Sequence, residues 1–157
     1  MTNSLKQLSL IVLIVIFFCS CGVKRGQKSP RLTIHKTGNV NFYEGDFGLL
    51  LDKAEVKKRP IFVDVYADWC LPCKQMDKFV FTDNNLAEFL NDNFISYKLD
   101  SEGSHGQLLK TVYSIGVLPS ILILDESGEL ISRKEGYVDA EILYNECKSA
   151  LRLHKFR

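Results

Sequence analysis

Six consecutive residues, Ile61-Phe62-Val63-Asp64-Val65-Tyr66, restrict the fold more than any other stretch of this chain. The run is short, β-branched and aromatic, with one polar position, which is the pattern of a central strand covered on both faces. Helices must then lie on both sides of its sheet, so the chain is an α/β protein. The neighbouring patterns agree. Residues 46–57 place Phe47, Leu50, Leu51 and Ala54 on one helical face, so a helix precedes the strand. After it, Cys73, Met76 and Val80 share a helical face, Thr82-Asp83-Asn84-Asn85 breaks the pattern, and Leu86, Phe89 and Leu90 begin a second helix. Residues 94–99 form another strand and complete a β-α-β unit with an expected right-handed crossover. Leu108, Val112 and Ile115 mark a further helix ending at Gly116, and residues 121–124 repeat the buried-strand pattern. Glu126-Ser127-Gly128 turns the chain into a returning strand over 130–133, and Asp139 caps a last helix reaching about Arg152. The expected order is α, β, α, β, α, β, β, α, with an edge strand within residues 31–43.

With 157 residues and 46% hydrophobic content the chain holds one core, not two. Its first twenty residues stand apart: a polar start with Lys6, the apolar run 8–18, then small residues, as in an export signal. The run is shorter than the ~20 residues a membrane-spanning helix needs. Phe18-Cys19-Ser20-Cys21-Gly22 resembles a bacterial lipobox, which implies lipid attachment at Cys21 and cleavage before it. Bulky Phe18 makes Cys19 the poorer fit. Cleavage removes Lys6 and no acid, so the formal charge falls from +1 to zero and leaves no electrostatic footprint for nucleic acid. Residues 21–41 begin with Gly22, Lys24, Arg25, Gly26, Lys28, Ser29, Pro30 and Arg31 without periodicity, and are expected to be a lipidated tether to a domain over 42–157.

Three cysteines then remain. Cys147 shares a helical stripe with Leu143, Ala150 and Leu151 and is expected to be a small core residue. Cys70 and Cys73 enclose only Leu71 and Pro72. A zinc site needs about four ligands, and there is no second Cys-x-x-Cys, while His35, His105 and His154 are scattered. Haem attachment of the c type would need histidine where Lys74 stands. As a staple the pair encloses almost no chain and so stabilises little. As a redox couple it makes physical sense. Cys70 would open the helix that carries Cys73, where unpaired backbone N–H groups and the helix dipole favour a thiolate. Lowering a thiol from about 8.5 to about 7 raises its thiolate fraction at neutral pH from about 3% to about half. Cys70 is then the nucleophile and Cys73 the resolving thiol, with Pro72 suited to a first-turn position that needs no N–H. Asp64, on a covered strand, should have its pKa raised by desolvation and exchange protons with Cys73, unless it is a solvated edge residue. Trp69 is either packing or a flat wall for a docking substrate.

Trp69-Cys70-Leu71-Pro72-Cys73-Lys74, in this order of elements, resembles the thioredoxin superfamily over about residues 61–151. The resemblance implies a thioredoxin fold with a central mixed sheet flanked by helices. It also implies a cis Pro119 in Leu118-Pro119-Ser120 facing the dithiol, Asp64 as the buried acid, Lys98 beside it as the residue that tunes it, and Gly136 after the last strand. Pro119, if cis, leaves backbone beside Cys70 open to a substrate strand. "VFTDNNLAEFL" and "GYVDAE" are similar to the C-terminal domain of the periplasmic DsbD thiol:disulfide interchange proteins and to free-standing thioredoxin-like relatives. Leu71 departs from the Cys-Gly-Pro-Cys of cytosolic thioredoxin.

Together these point to a lipid-anchored thiol:disulfide oxidoreductase of the bacterial envelope, on the periplasmic side of either membrane. It would need no cofactor or metal, reduce disulfides in envelope proteins and be recharged by a membrane or periplasmic thiol donor. The rival readings are a disulfide oxidant or isomerase, and a non-catalytic binding module on the same fold.

Overall fold

The computed structural model describes residues 33–37 and 39–155. The expected signal segment 1–20, Cys21 and most of the tether lie outside the described residues.

Six strands form one mixed sheet: β1 Thr33–Thr37, β2 Val40–Glu44, β3 Ile61–Tyr66, β4 Ile95–Asp100, β5 Ser120–Leu124 and β6 Leu130–Glu135, in the order β1-β2-β4-β3-β5-β6. The apolar run is the centre of the sheet, β3 pairing in parallel with β4 and antiparallel with β5. The helices are α1 Phe47–Lys57, α2 Leu71–Gln75, α3 Asn84–Asn93, α4 Ser104–Val112 and α5 Ala140–Lys155, with a π-helical turn, Met76–Val80, continuing α2. Alternation along β3 divides the core. Ile61, Val63 and Val65 pack with Phe47, Leu50 and Ala54 of α1 and Leu109 of α4. Phe62, on the other face, meets Met76, Val80, Phe81, Leu86, Leu90, Leu143 and Cys147. Asp64 has the same parity as Phe62 and so points toward the layer that carries the cysteines.

Local sequence accounts for the helix starts. The Asp46 carboxylate accepts from the Gly48 and Leu49 N–H groups, and Asp83 accepts from Leu86 N–H at 2.9 Å, caps worth about 1 kcal/mol each. In the π-helical turn Phe81 N–H donates to the Met76 carbonyl at 3.0 Å, five residues back. That extra residue lets Met76, Val80 and Phe81 all reach the core.

Two expectations need correction. The folded unit begins before residue 42, because the end of the expected tether is β1 and the start of β2. Thr37 pairs with Val40, and Val40 and Phe42 are fully buried while Asn41 N–H donates to the Asn91 side chain at 2.9 Å. The helix expected around Leu108, Val112 and Ile115 exists as α4, but Leu108 and Val112 are each 62% exposed and Leu109 is the buried residue. The reason is Gly106: a Cβ there would stand 1.8 Å from the Asp100 carbonyl oxygen, so α4 touches the end of β4 through its glycine and is rotated to bury that side.

Candidate functional site

β3 ends at Tyr66 and the chain turns through Ala67-Asp68-Trp69, closed by Cys70 N–H on the Ala67 carbonyl at 3.0 Å. Cys70 is thus the N-cap of α2. It has extended backbone, and its Sγ accepts from Cys73 N–H at 3.2 Å, in the place a serine or aspartate oxygen takes at other helix starts. Pro72 sits in the first turn. Cys70 and Cys73 are joined as a disulfide, and both are almost wholly buried with Ala67, against Tyr66 and Leu118. The Leu118–Pro119 peptide is cis. The Pro119 carbonyl accepts from Gly136 N–H at 2.8 Å, and the Ser120 hydroxyl donates to the Val117 carbonyl at 2.7 Å, which fixes this loop beside the cysteines. Trp69 is two-thirds exposed and belongs to the surface of the site, not to the core.

Below the disulfide lies a charged cluster. Asp64 and Lys98 are register partners on β3 and β4, and Lys98 Nζ is 2.9 Å from Asp64 Oδ2. Nζ is also 2.6 Å from Asp77 Oδ1, on the π-helical turn. Three rings surround the ammonium: Tyr66 at 4.5 Å, Phe42 at 5.5 Å and Phe81 at 5.7 Å. Burial raises the Asp64 pKa, and the Lys98 charge only partly opposes it. For Lys98, burial disfavours the charge, but Asp64 and Asp77 outweigh it and hold the ammonium above its ordinary value. Asp64 Oδ1 is buried without a hydrogen-bond partner among the described residues.

The structure therefore brings Cys70, Cys73, Leu118 and Pro119 to one end of the sheet and couples Asp64 to Lys98 beneath them. It adds two residues that sequence reasoning missed. Asp77 lies four residues after Cys73, and that helical spacing was a usable signal. Tyr66 closes β3 and packs against both the disulfide and Lys98. Cys147 is buried on α5 and burial, with Glu146 adding to it, pushes its thiol up to about 12, so it stays protonated and inert. Among the described residues no group of three or more His, Cys, Asp or Glu is placed to hold a metal, and no helix is long and apolar enough to cross a membrane.

Residues 48–150 match the family model of the thioredoxin-like domain. A candidate disulphide-isomerase from Bacteroides thetaiotaomicron, solved in solution, is 33% identical, with 74% of this chain and 97% of that one covered and a TM-score of 0.66. The DsbD thiol:disulfide interchange protein of Pseudoalteromonas atlantica is 30% identical over 128 residues, 80% of this chain and 21% of that protein. That of Escherichia coli K12 is 34% identical over 91 residues, 55% of this chain and 16% of that protein, so the chain spans about a fifth or less of these relatives. The reduced C-terminal domain of Neisseria meningitidis DsbD, at 20% identity, shares the fold with a TM-score of 0.56 over 66% of this chain and 92% of that one. With the family match covering most of the folded unit and the Cys70–Cys73 disulfide set at a helix start, the chain belongs to the thioredoxin-like family.

Proposed function

We propose that the chain is an exported, lipid-anchored protein that reduces disulfides of envelope proteins. One observation carries the chemistry: the Cys70 sulfur caps α2 and receives the Cys73 amide, a setting that stabilises a thiolate. In the reduced protein the Cys70 thiolate attacks one sulfur of a client disulfide, forms a mixed disulfide and expels the other client sulfur as thiolate. Asp64 accepts the Cys73 proton, for which Oδ1 is free of other hydrogen bonds. Cys73 then attacks the Cys70 sulfur and the second client sulfur leaves. The client gains two electrons and the protein is left with its disulfide. An upstream dithiol of the envelope restores it. Lys98 limits how far burial raises the Asp64 pKa, and Trp69, Leu118 and Pro119 border the surface that receives the client. Export and anchoring rest on the apolar run 8–18 and on Ser20-Cys21-Gly22.

A second reading, disulfide isomerisation, is favoured by the Bacteroides relative, which the chain covers almost completely. Equilibration with glutathione and dithiothreitol separates the two. Reductants of this fold lie near about −270 mV and the strong oxidant DsbA near about −120 mV. The expected value is below about −200 mV; one near about −180 mV, where protein disulfide isomerase lies, favours isomerisation, and one above about −150 mV rejects the reductase reading. Asp64→Asn should slow exchange by ~10²-fold while moving the potential little.

A further inference from the structure

With both sulfurs covered, a client first meets the rim. Four apolar side chains there are open to solvent: Trp69 at 67%, Leu71 at 66%, Val117 at 46% and Tyr137 at 44%. Their placement is fixed by bonds already described. Trp69 and Leu71 flank Cys70, Val117 precedes Leu118, and Tyr137 follows the Gly136 whose N–H holds the Pro119 carbonyl. Carboxylates border this apolar ring on two sides. Asp68 adjoins Trp69, and Asp100 is the β4 register partner of Tyr66, both exposed. Across the site, Asp139 is exposed two residues after Tyr137, and Glu135 pairs in register with Ser120. Arg133 stands 3.5 Å from Glu135 and cancels that charge, while its guanidinium also donates to the Tyr113 and Ser114 carbonyls. Asp68, Asp100 and Asp139 are thus the exposed carboxylates of the rim, and the exposed Lys74, in the last turn of α2, is a cation of the same segment. The field reaches the disulfide's own neighbour: burial first, then the charges of Asp100 and Asp68, push the Tyr66 phenol above its ordinary value, against the opposing effect of Lys98.

We propose that this rim selects disulfides set in extended apolar segments with basic flanking residues, and disfavours acidic disulfides such as oxidised glutathione. The inference rests on the oxidoreductase reading and leaves its chemistry unchanged. Apolar side chains beside the client sulfur cover Trp69, Leu71, Val117 and Tyr137. Lysine or arginine farther out meets Asp68 on one side and Asp139 on the other.

The test uses the full chain, reduced and free of dithiothreitol, with two synthetic peptides that share one disulfide and the same apolar neighbours. One is flanked by lysines and the other by glutamates. Acid quenching and chromatography give the second-order rates. At low salt the lysine peptide should react at least about tenfold faster. At 0.5 M salt, where the screening length is only a few Å, the ratio should fall below about threefold. Asp68→Asn with Asp139→Asn should reduce the low-salt ratio by about threefold or more, chiefly by slowing the lysine peptide. Equal rates at low salt, or a faster glutamate peptide, overturn the inference and leave the oxidoreductase reading standing. If neither peptide oxidises the dithiol, the underlying reading fails and the inference with it.

Discussion

Lys98→Met removes the cation that joins two carboxylates while keeping most of the side chain's apolar length. Its ammonium lies 2.9 Å from Asp64 and 2.6 Å from Asp77, with Lys98 and Asp64 nearly buried and Asp77 about one-third exposed. At an effective dielectric of about 20 each contact is worth about 6 kcal/mol of gross attraction. Solvent reduces the Asp77 share to the order of 1 kcal/mol, and desolvation of the Lys98–Asp64 pair offsets much of the other. A net loss of about 3 kcal/mol is expected where Asp64 must be charged, a large part of a typical stability of about 5–15 kcal/mol. The loss should depend on pH, because Asp64 can escape by binding a proton. Its folded pKa already lies above the ordinary 3.8, so in the parent its stabilising effect is complete below 3.8 and is lost as pH rises through the folded value. Without Lys98 the folded pKa rises further, and the variant must fall behind the parent progressively with pH. The two should differ least near pH 4 and most near pH 8. Urea unfolding followed by circular dichroism measures this; the only tryptophan, Trp69, is too exposed to report on the core. In an Asp64→Asn background the pH dependence should vanish and Lys98→Met should cost about 1 kcal/mol or less. A loss of equal size at all pH values, unchanged in that background, would show that Lys98 acts through packing and would refute the electrostatic account.

Cys73→Ser should accumulate mixed disulfides with client proteins and Cys70→Ser none, read by non-reducing electrophoresis and mass spectrometry; equal trapping would remove the division of roles. Cys21→Ala should abolish incorporation of labelled fatty acid while the dithiol still cycles, and labelling equal to the parent would reject the lipobox. Gly106→Ala should destabilise by about 2 kcal/mol or more in thermal or urea unfolding, because its Cβ would fall 1.8 Å from the Asp100 carbonyl oxygen. An unchanged midpoint would show that α4 can withdraw from β4 without cost.

What short-range physics encodes can be read along the chain. The nearly continuous apolar run of β3 placed a covered central strand, the break at residues 82–85 separated α3 from the preceding turn, the Asp125 to Glu129 hairpin followed its turn residues, and the stripe through Leu143, Cys147 and Ala150 buried Cys147. The two-residue spacing of Cys70 and Cys73 already argued for exchange chemistry, because it encloses too little chain to stabilise anything. Asp64 and Lys98 were paired by family resemblance, since nothing local in either segment indicates the other. Their contact depends on the parallel register of β3 with β4, in which Asp64 meets Lys98. Asp77 enters the same cluster through a π-helical turn whose extra residue is set by the burial of Met76, Val80 and Phe81 together. Helical periodicity misread α4 for a similar reason: Leu108 and Val112 fit a stripe, but the close approach of Gly106 to Asp100 decides which side is buried. The rim around Cys70 is drawn from residues 68–71, 117–119 and 135–139, segments joined by strand pairing, by the packing of Leu118 on the disulfide and by the Gly136 to Pro119 hydrogen bond. Caps, turns and periodicities are interactions over a few residues and can be read along the chain. Register, helix rotation and the joining of distant loops depend on which of many alternative packings buries the most apolar surface with its polar groups paired, and only the folded chain settles that.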